Sequence, residues 1–225
     1  MLNVQNIRKQ FNRRTIIDRL SFQISQGEKI CIFAPSGAGK TTLIRILSGL
    51  DTQFQGNFIF QTQSIASVFQ DPGLFWYKTV EENIFYPFKI AGTAMNSKTQ
   101  ALLSEWMEIS GLKGFESYYP HEISGGMKQK VSLVRALITR PEFIMMDEPF
   151  KSIDVVSKQR IIKYMRQKYH ATTWLLVTHN LDEIPLASDR VLLFKQPMLS
   201  DYQEIQAEQN GGLHEFLKAA FNEIM

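Results

Sequence analysis

The run KICIFA at residues 29–34 is short, apolar and built of β-forming side chains, which predicts a buried strand. The apolar period then changes. Leu43, Ile46, Leu47 and Leu50 recur three or four residues apart, predicting a helix through TTLIRILSGL that ends near Gly49. Three further apolar runs read as strands: SIASVFQ, which ends at Gln70; the apolar part of FIMMDEPF, which ends in the two acids Asp147 and Glu148; and WLLVTHN, which runs into His179. Helical spacing returns in MKQKVSLVRALI, where Val131, Val134, Arg135 and Ile138 share one side, directly after the tight glycine turn SGG. A last amphipathic helix is predicted in GLHEFLKAAFNEIM, with Leu213, Phe216, Leu217, Ala220, Phe221 and Ile224 together. The polar stretch SDYQEIQAEQNGG before it predicts a loose connection. Strands interleaved with helices in this way mark an α/β protein.

Composition narrows the picture mainly by exclusion. A chain of 225 residues buries one large core, or one core plus a modest helical insert. With 44% hydrophobic and 21% charged residues it has the balance of a soluble globular protein, and a net charge of +3 is too small to argue for nucleic acid. No apolar run approaches the roughly 18 to 20 residues of a membrane-spanning helix. The start, MLNVQNIRKQF, lacks the apolar segment of a secretory signal. The single cysteine, Cys31, has no internal partner and sits in an apolar run, so a buried structural thiol in a cytoplasmic protein is expected.

The candidate chemistry begins between the first strand and helix, in APSGAGKTT. Strand, small-residue loop and helix in that order form a phosphate-binding context. Small residues let backbone N–H groups converge on phosphate oxygens, and the helix start adds its positive dipole end. Lys40 would reach the β- and γ-phosphates, and the Thr41 hydroxyl would coordinate Mg²⁺. Ala34 stands where the first glycine of the usual pattern belongs. A positive φ there would strain alanine by about 1 kcal/mol, whereas a negative φ would make the change nearly neutral.

The strand FIMMD, expected beside the loop strand, would deliver Asp147 to Mg²⁺, leaving Glu148 to orient and deprotonate an attacking water. His179 would hydrogen-bond a γ-phosphate oxygen and that water, since ligands of open α/β sheets gather at the carboxyl ends of strands. The turn SGG opens a second anion-binding helix start. One nucleotide already fills the first, so the second invites a nucleotide held by another copy of the chain.

SGGMKQ followed at short distance by IMMDEP resembles the signature motif and Walker B strand of ABC-transporter ATPases, and the likeness runs through nearly the whole chain in the family's order. APSGAGKTT resembles Walker A (Ala34, Pro35, Ser36, Gly37, Ala38, Gly39, Lys40, Thr41, Thr42). VFQD resembles the Q-loop at Gln70, FKSID the D-loop ending at Asp154, and VTHN the switch-histidine motif. Phe11 falls where the family places an aromatic that stacks on adenine.

The resemblance implies a P-loop NTPase core with a mixed sheet flanked by helices, an N-terminal antiparallel β subdomain and a helical insert. One domain, 1–225, would carry a nucleotide core at 1–70 and 141–225 and a helical subdomain at about 71–140. It implies an ATPase using ATP and Mg²⁺, with Thr41, Gln70 and Asp147 binding the metal and Lys40, Gln70, Glu148 and His179 in catalysis. Two copies would pair head to tail, Ser124, Gly125 and Gly126 of one capping the nucleotide of the other, with Asp154 also among the nucleotide-binding residues.

The loop after Gln70 would dock a transmembrane permease, with Phe75 and Trp76 candidates to line the groove. QDPGLFW and SGGMKQ together resemble the branch that imports nitrate, sulfonates, taurine and thiamine precursors with an extracytoplasmic solute-binding protein. The expected place is cytoplasmic, peripheral on the inner face of the cell membrane, with no nucleic-acid partner. An exporter ATPase, a non-transport ABC ATPase and a small-molecule P-loop kinase are the rival readings, and ISGGMKQK argues against the last. Met127 and Ile123 depart from the common LSGGQ form, and Lys151 and Ser152 occupy D-loop positions where small residues are usual. No room is expected for an additional regulatory β-domain.

Overall fold

The structure is a computed structural model that describes residues 1–93, 96–206 and 218–219. In chain order its elements are β1 (Leu2–Phe11), β2 (Arg14–Ile24), β3 (Lys29–Phe33), α1 (Lys40–Leu47), β4 (Gln55–Phe60), β5 (Ile65–Val68), α2 (Val80–Ile90) and α3 (Ser97–Ser110). A 3₁₀ turn at Pro120–Glu122 precedes α4 (Gly125–Leu137), β6 (Phe143–Asp147), α5 (Val155–Lys168), β7 (Thr173–Val177), α6 (Ile184–Ala187), β8 (Arg190–Leu193) and β9 (Gln203–Gln206). They form two compact units. The first is Met1–Ile65 with Glu142–Glu148 and Ala171–Met225; the second is Ala66–Pro141 with Pro149–His170. β5 carries the chain from one unit into the other.

The first unit contains the antiparallel sheet β2-β1-β4 and the parallel strands β6-β7-β3-β8, with β9 antiparallel at the β8 edge. This is the mixed-sheet core with an N-terminal antiparallel part that the sequence led us to expect. All five residues of β3 are buried, as befits a central strand of a parallel sheet covered on both faces. β6 does not lie beside β3, however: β7 stands between them. Consecutive parallel strands tend to neighbour each other, and β6 and β7 follow that tendency, which pushes β6 one place outward. Asp147 therefore approaches the loop from roughly 10 Å to the side, two strand spacings away.

Two other expectations are corrected. The polar stretch that read as loose contains β9, paired with β8 through Arg190↔Gln206 and Leu193↔Gln203. An edge strand has one open side, so only Ile205 of its four residues is buried and the composition stays polar. Leu50 lies beyond the end of α1, past Gly49 at φ 76°, and is 68% exposed, whereas Leu43, Ile46 and Leu47 are buried. Cys31 is fully buried. Burial, reinforced by the charges of Glu183 and Glu148, pushes its thiol far up, so it remains neutral.

In the second unit, Asn83 is wholly buried and sets the loop before α2: its Oδ1 accepts the Phe75 N–H at 2.8 Å, and the two hydrogens of its Nδ2 are shared among the carbonyls of Phe75, Lys78 and Thr79. Trp106 on α3 donates to the Tyr169 hydroxyl at 2.8 Å, which donates onward to the Leu137 carbonyl at 3.0 Å. Burial raises the Tyr169 phenol to about 12, so it keeps its donor hydrogen. Among the described residues no helix is long and apolar enough to cross a membrane. The amphipathic face expected at Leu213, Phe216, Leu217, Ala220, Phe221 and Ile224 lies outside the described residues.

Candidate active site

The loop between β3 and α1 follows from its small residues. Gly37 and Gly39 take positive φ, 77° and 102°, and the Ala38 N–H closes on the Pro35 carbonyl at 3.2 Å. Ala34 does not have a positive φ, so alanine in place of glycine is relaxed there. Gly39 is the N-cap of α1 and supplies no side-chain cap, which leaves the first-turn N–H groups open toward the loop. A Cβ on Gly39 would stand 2.5 Å from Ile16 Cγ2 and 3.2 Å from the Ile16 carbonyl oxygen. Gly39→Ala is accordingly expected to cost about 2 kcal/mol of unfolding free energy, against less than about 1 kcal/mol for Ala34→Gly, as urea melts would measure.

Lys40 is 8% exposed, and its ammonium donates to the carbonyls of Ala34 at 2.7 Å and Pro35 at 2.9 Å. Burial lowers its pKa, while the charges of Glu148 and Asp147 resist the fall. A buried cation held by neutral carbonyls beside an uncapped helix start fits a phosphate group. Thr41 and Thr42 open α1 and are half-buried; Pro35, Ser36 and Gly37 form the outer side of the loop, and Ala38 is buried. Among the described residues no cluster of three or more His, Cys, Asp or Glu could hold a metal by itself. Thr41 and Asp147 suit Mg²⁺ as partial ligands, a small oxygen set of the kind that ion completes with water and phosphate oxygens.

Asp147 ends β6 almost fully buried, and Glu148 follows at φ 50° with its N–H donating to the Val177 carbonyl at 2.8 Å. The left-handed conformation of a glutamate costs on the order of 1–2 kcal/mol, and it turns the side chain toward the end of β7. There His179 Nδ1 lies 2.6 Å from Glu148 Oε1. An ionised carboxylate only accepts, so with Glu148 ionised Nδ1 carries the hydrogen and donates, leaving Nε2 outward. The His179 side chain is 52% exposed, the Glu148 side chain 10%. The first unit thus gathers Lys40, Asp147, Glu148 and His179 into one electrostatic neighbourhood. Phe11 ends β1 half-exposed, with the Lys9 ammonium 4.7 Å from its ring centroid. That ammonium is held by Asp51 at 2.7 Å and the Gln53 carbonyl at 2.6 Å.

The second unit holds Gln70, Ser124, Gly125, Gly126 and Asp154. Gln70 is exposed, and the chain around it is fastened to α4. Gln129 donates to the Phe69 carbonyl at 3.3 Å, and Arg135 donates to the carbonyls of Pro72 at 2.7 Å and Gly73 at 3.0 Å. On α4 and its C-cap Val131, Val134 and Ile138 are buried and Arg135 is half-buried, but Lys130, Ser132, Leu133, Ala136 and Leu137 are buried as well, so the helix is enclosed all round rather than along the one side its spacing predicts. Ser124 caps α4 through the Met127 N–H at 3.2 Å. Gly126 packs so closely on the Ser152 carbonyl that a Cβ would overlap it, so Ser152 matters here through its backbone. Asp154 caps α5 through the Ser157 N–H at 2.8 Å, which holds its carboxyl below the usual range, and Lys130 lies 3.8 Å away. Phe75 packs against Tyr86 at 4.2 Å, whereas Trp76 is 76% exposed.

Sequence reasoning missed Lys9, Thr178 and Glu183. Lys9 lies on β1 two residues before Phe11, in a stretch where only Phe11 stood out. Glu183, in NLDEIP, has the look of a solvated acid, yet it is 2% exposed and accepts the Thr178 hydroxyl at 2.6 Å. The nearest signal was its position four residues beyond His179.

A family model described as "ABC transporter" matches residues 17–151. An aliphatic sulfonates import ATP-binding protein, SsuB of Bacillus cereus, is 33% identical over 205 residues, spanning 85% of this chain and 80% of that protein. Aliphatic sulfonates import ATP-binding protein SsuB 2 of Pseudomonas syringae pv. tomato is 35% identical over 194 residues, spanning 85% and 81%. Among solved structures, the dimeric post-hydrolysis state of the ATP-binding cassette MJ0796 bound to ADP and Pi superposes with a TM-score of 0.80 at 23% identity, covering 92% of this chain and 99% of that one.

Proposed function

The chain belongs to the ABC transporter family as an ATP-hydrolysing subunit, and from that premise we propose that it works as one of a pair driving uptake of a small solute through a separate permease. The import direction is supported by its likeness to import ATP-binding proteins. Pairing follows from the sequence logic of two anion-binding helix starts. Each ATP would meet Phe11 and the loop from Ala34 to Thr42 of one copy, and Ser124, Gly125, Gly126 and Asp154 of another. Exposed Trp76 offers the permease a contact surface, and through the permease the chain would sit on the inner face of the cell membrane, beside a solute-binding protein outside.

The observation that carries the catalytic reading is the 2.6 Å contact between His179 Nδ1 and Glu148 Oε1. Phosphoryl transfer to water asks for positioning and charge neutralisation more than covalent chemistry. Lys40 would neutralise phosphate charge from within the loop. Glu148 would take the proton of the attacking water, and His179, held by its Nδ1, would present Nε2 to substrate. Mg²⁺, when bound by Thr41 and Asp147 together with the nucleotide, would supply further charge neutralisation.

Co-purification with a permease and a solute-binding protein, and ATP-dependent uptake by proteoliposomes carrying all three, are the expected results. Efflux without a binding protein would overturn the import reading and favour an exporter. Salt-sensitive binding to DNA or ribosomes would point to a non-transport ATPase.

A further inference from the structure

We propose that Glu183 is a positioning residue for hydrolysis: through the Thr178 hydroxyl it fixes the turn that holds His179 against Glu148. The inference rests on the catalytic reading of those two residues, but its geometry is independent of that reading.

Thr178 is fully buried, and its hydroxyl donates to Glu183 Oε2 at 2.6 Å. The same hydroxyl oxygen accepts the Asn180 N–H at 3.1 Å, so one hydroxyl joins the residues on both sides of His179. Glu183 closes the turn a second time, its own N–H donating to the Asn180 carbonyl at 3.2 Å. His179 therefore stands at the apex of a turn clamped twice by one residue. Without the clamp, a side chain so exposed has rotamers and backbone freedom enough to leave Glu148.

Two observations separate this role from routine packing. Glu183 is the N-cap of α6, yet its side chain makes no cap hydrogen bond, and its 2.6 Å contact runs back to Thr178 instead. A buried carboxylate also carries a desolvation cost that an apolar residue of similar size would avoid, so an acid here marks a polar task, and the Thr178 contact is one. Thr178 Oγ1 is 3.5 Å from Glu148 Oε2, but a hydroxyl has a single hydrogen, and the shorter contact takes it. Glu148 is thus gripped through Oε1 by His179, and the Thr178 hydrogen is not spent on its Oε2.

The test uses full-length Glu183→Ala, Glu183→Gln and Thr178→Val. Its first readout is the His179 Nδ1 resonance of ¹⁵N-histidine-labelled, nucleotide-free protein. Glu183→Ala and Thr178→Val are expected to displace it. Glu183→Gln, whose amide oxygen still accepts from Thr178, should keep it. The second readout is turnover: kcat falls about 10- to 100-fold in Glu183→Ala, with ATP affinity within about twofold of wild type and a smaller loss in Glu183→Gln. An unmoved His179 resonance in Glu183→Ala overturns the proposal. Should that variant not fold, an unmoved resonance in Thr178→Val does the same. Wild-type turnover in His179→Ala with a displaced resonance in Glu183→Ala would sink the catalytic reading and leave the clamp standing.

Discussion

Glu148→Gln is expected to lower kcat about 1,000-fold with ATP binding retained, the scale of removing a general base. That factor corresponds to about 4 kcal/mol of transition-state stabilisation. Glutamine preserves the length of the side chain and leaves an amide oxygen able to accept from His179 Nδ1, so the 2.6 Å contact can persist. The φ of 50° belongs to the backbone and is unaffected. What disappears is the capacity to accept a proton. A site that binds without turning over should hold two copies together, and size-exclusion chromatography with ATP is expected to show a stable dimer only for this variant. Hydrolysis near the wild-type rate would remove Glu148 from the base role.

Ser124→Arg is expected to abolish hydrolysis to a similar degree, by a different route. Ser124 opens α4 at the surface, where its hydroxyl caps the helix through the Met127 N–H. Arginine there loses the cap, worth about 1 kcal/mol, and puts a long side chain where the γ-phosphate of the other copy would lie. The Lys40 loop is untouched, so ATP affinity measured in dilute monomer should stay within about twofold of wild type, while ATP-dependent dimerisation is lost. Ser124→Ala separates the two effects, since it removes the cap alone. Equal loss of ATP affinity in dilute monomer would count against a site shared between copies.

Much of the fold was legible because each element carried its own period. β3 and α1 meet across a small-residue loop that has few alternatives, whereas the spacing of Val131, Val134 and Ile138 showed that α4 is a helix but not that it is buried all round. β9 was not legible, because an edge strand exposing most of its side chains has the composition of a loop. Leu50 misled for the opposite reason: it continues the helical period past the glycine that ends the helix. The catalytic candidates stood out as polar residues closing apolar strands, whereas Glu183 looked like one more solvated acid.

By itself, the order of residues determined the class of chemistry: a lysine and threonines after a glycine loop, acids and a histidine at strand ends, a second glycine turn opening a helix. These are local patterns that residue spacing displays, although the strands among them close their hydrogen bonds only with distant neighbours. Only tertiary structure decided that β7 stands between β3 and β6, that Ala34 is relaxed, that Gly39 has no space for a Cβ beside Ile16, and that a buried carboxylate closes the turn carrying His179. Each of those depends on which distant segment arrives as a neighbour, and sequence spacing carries no information about a contact that packing alone creates.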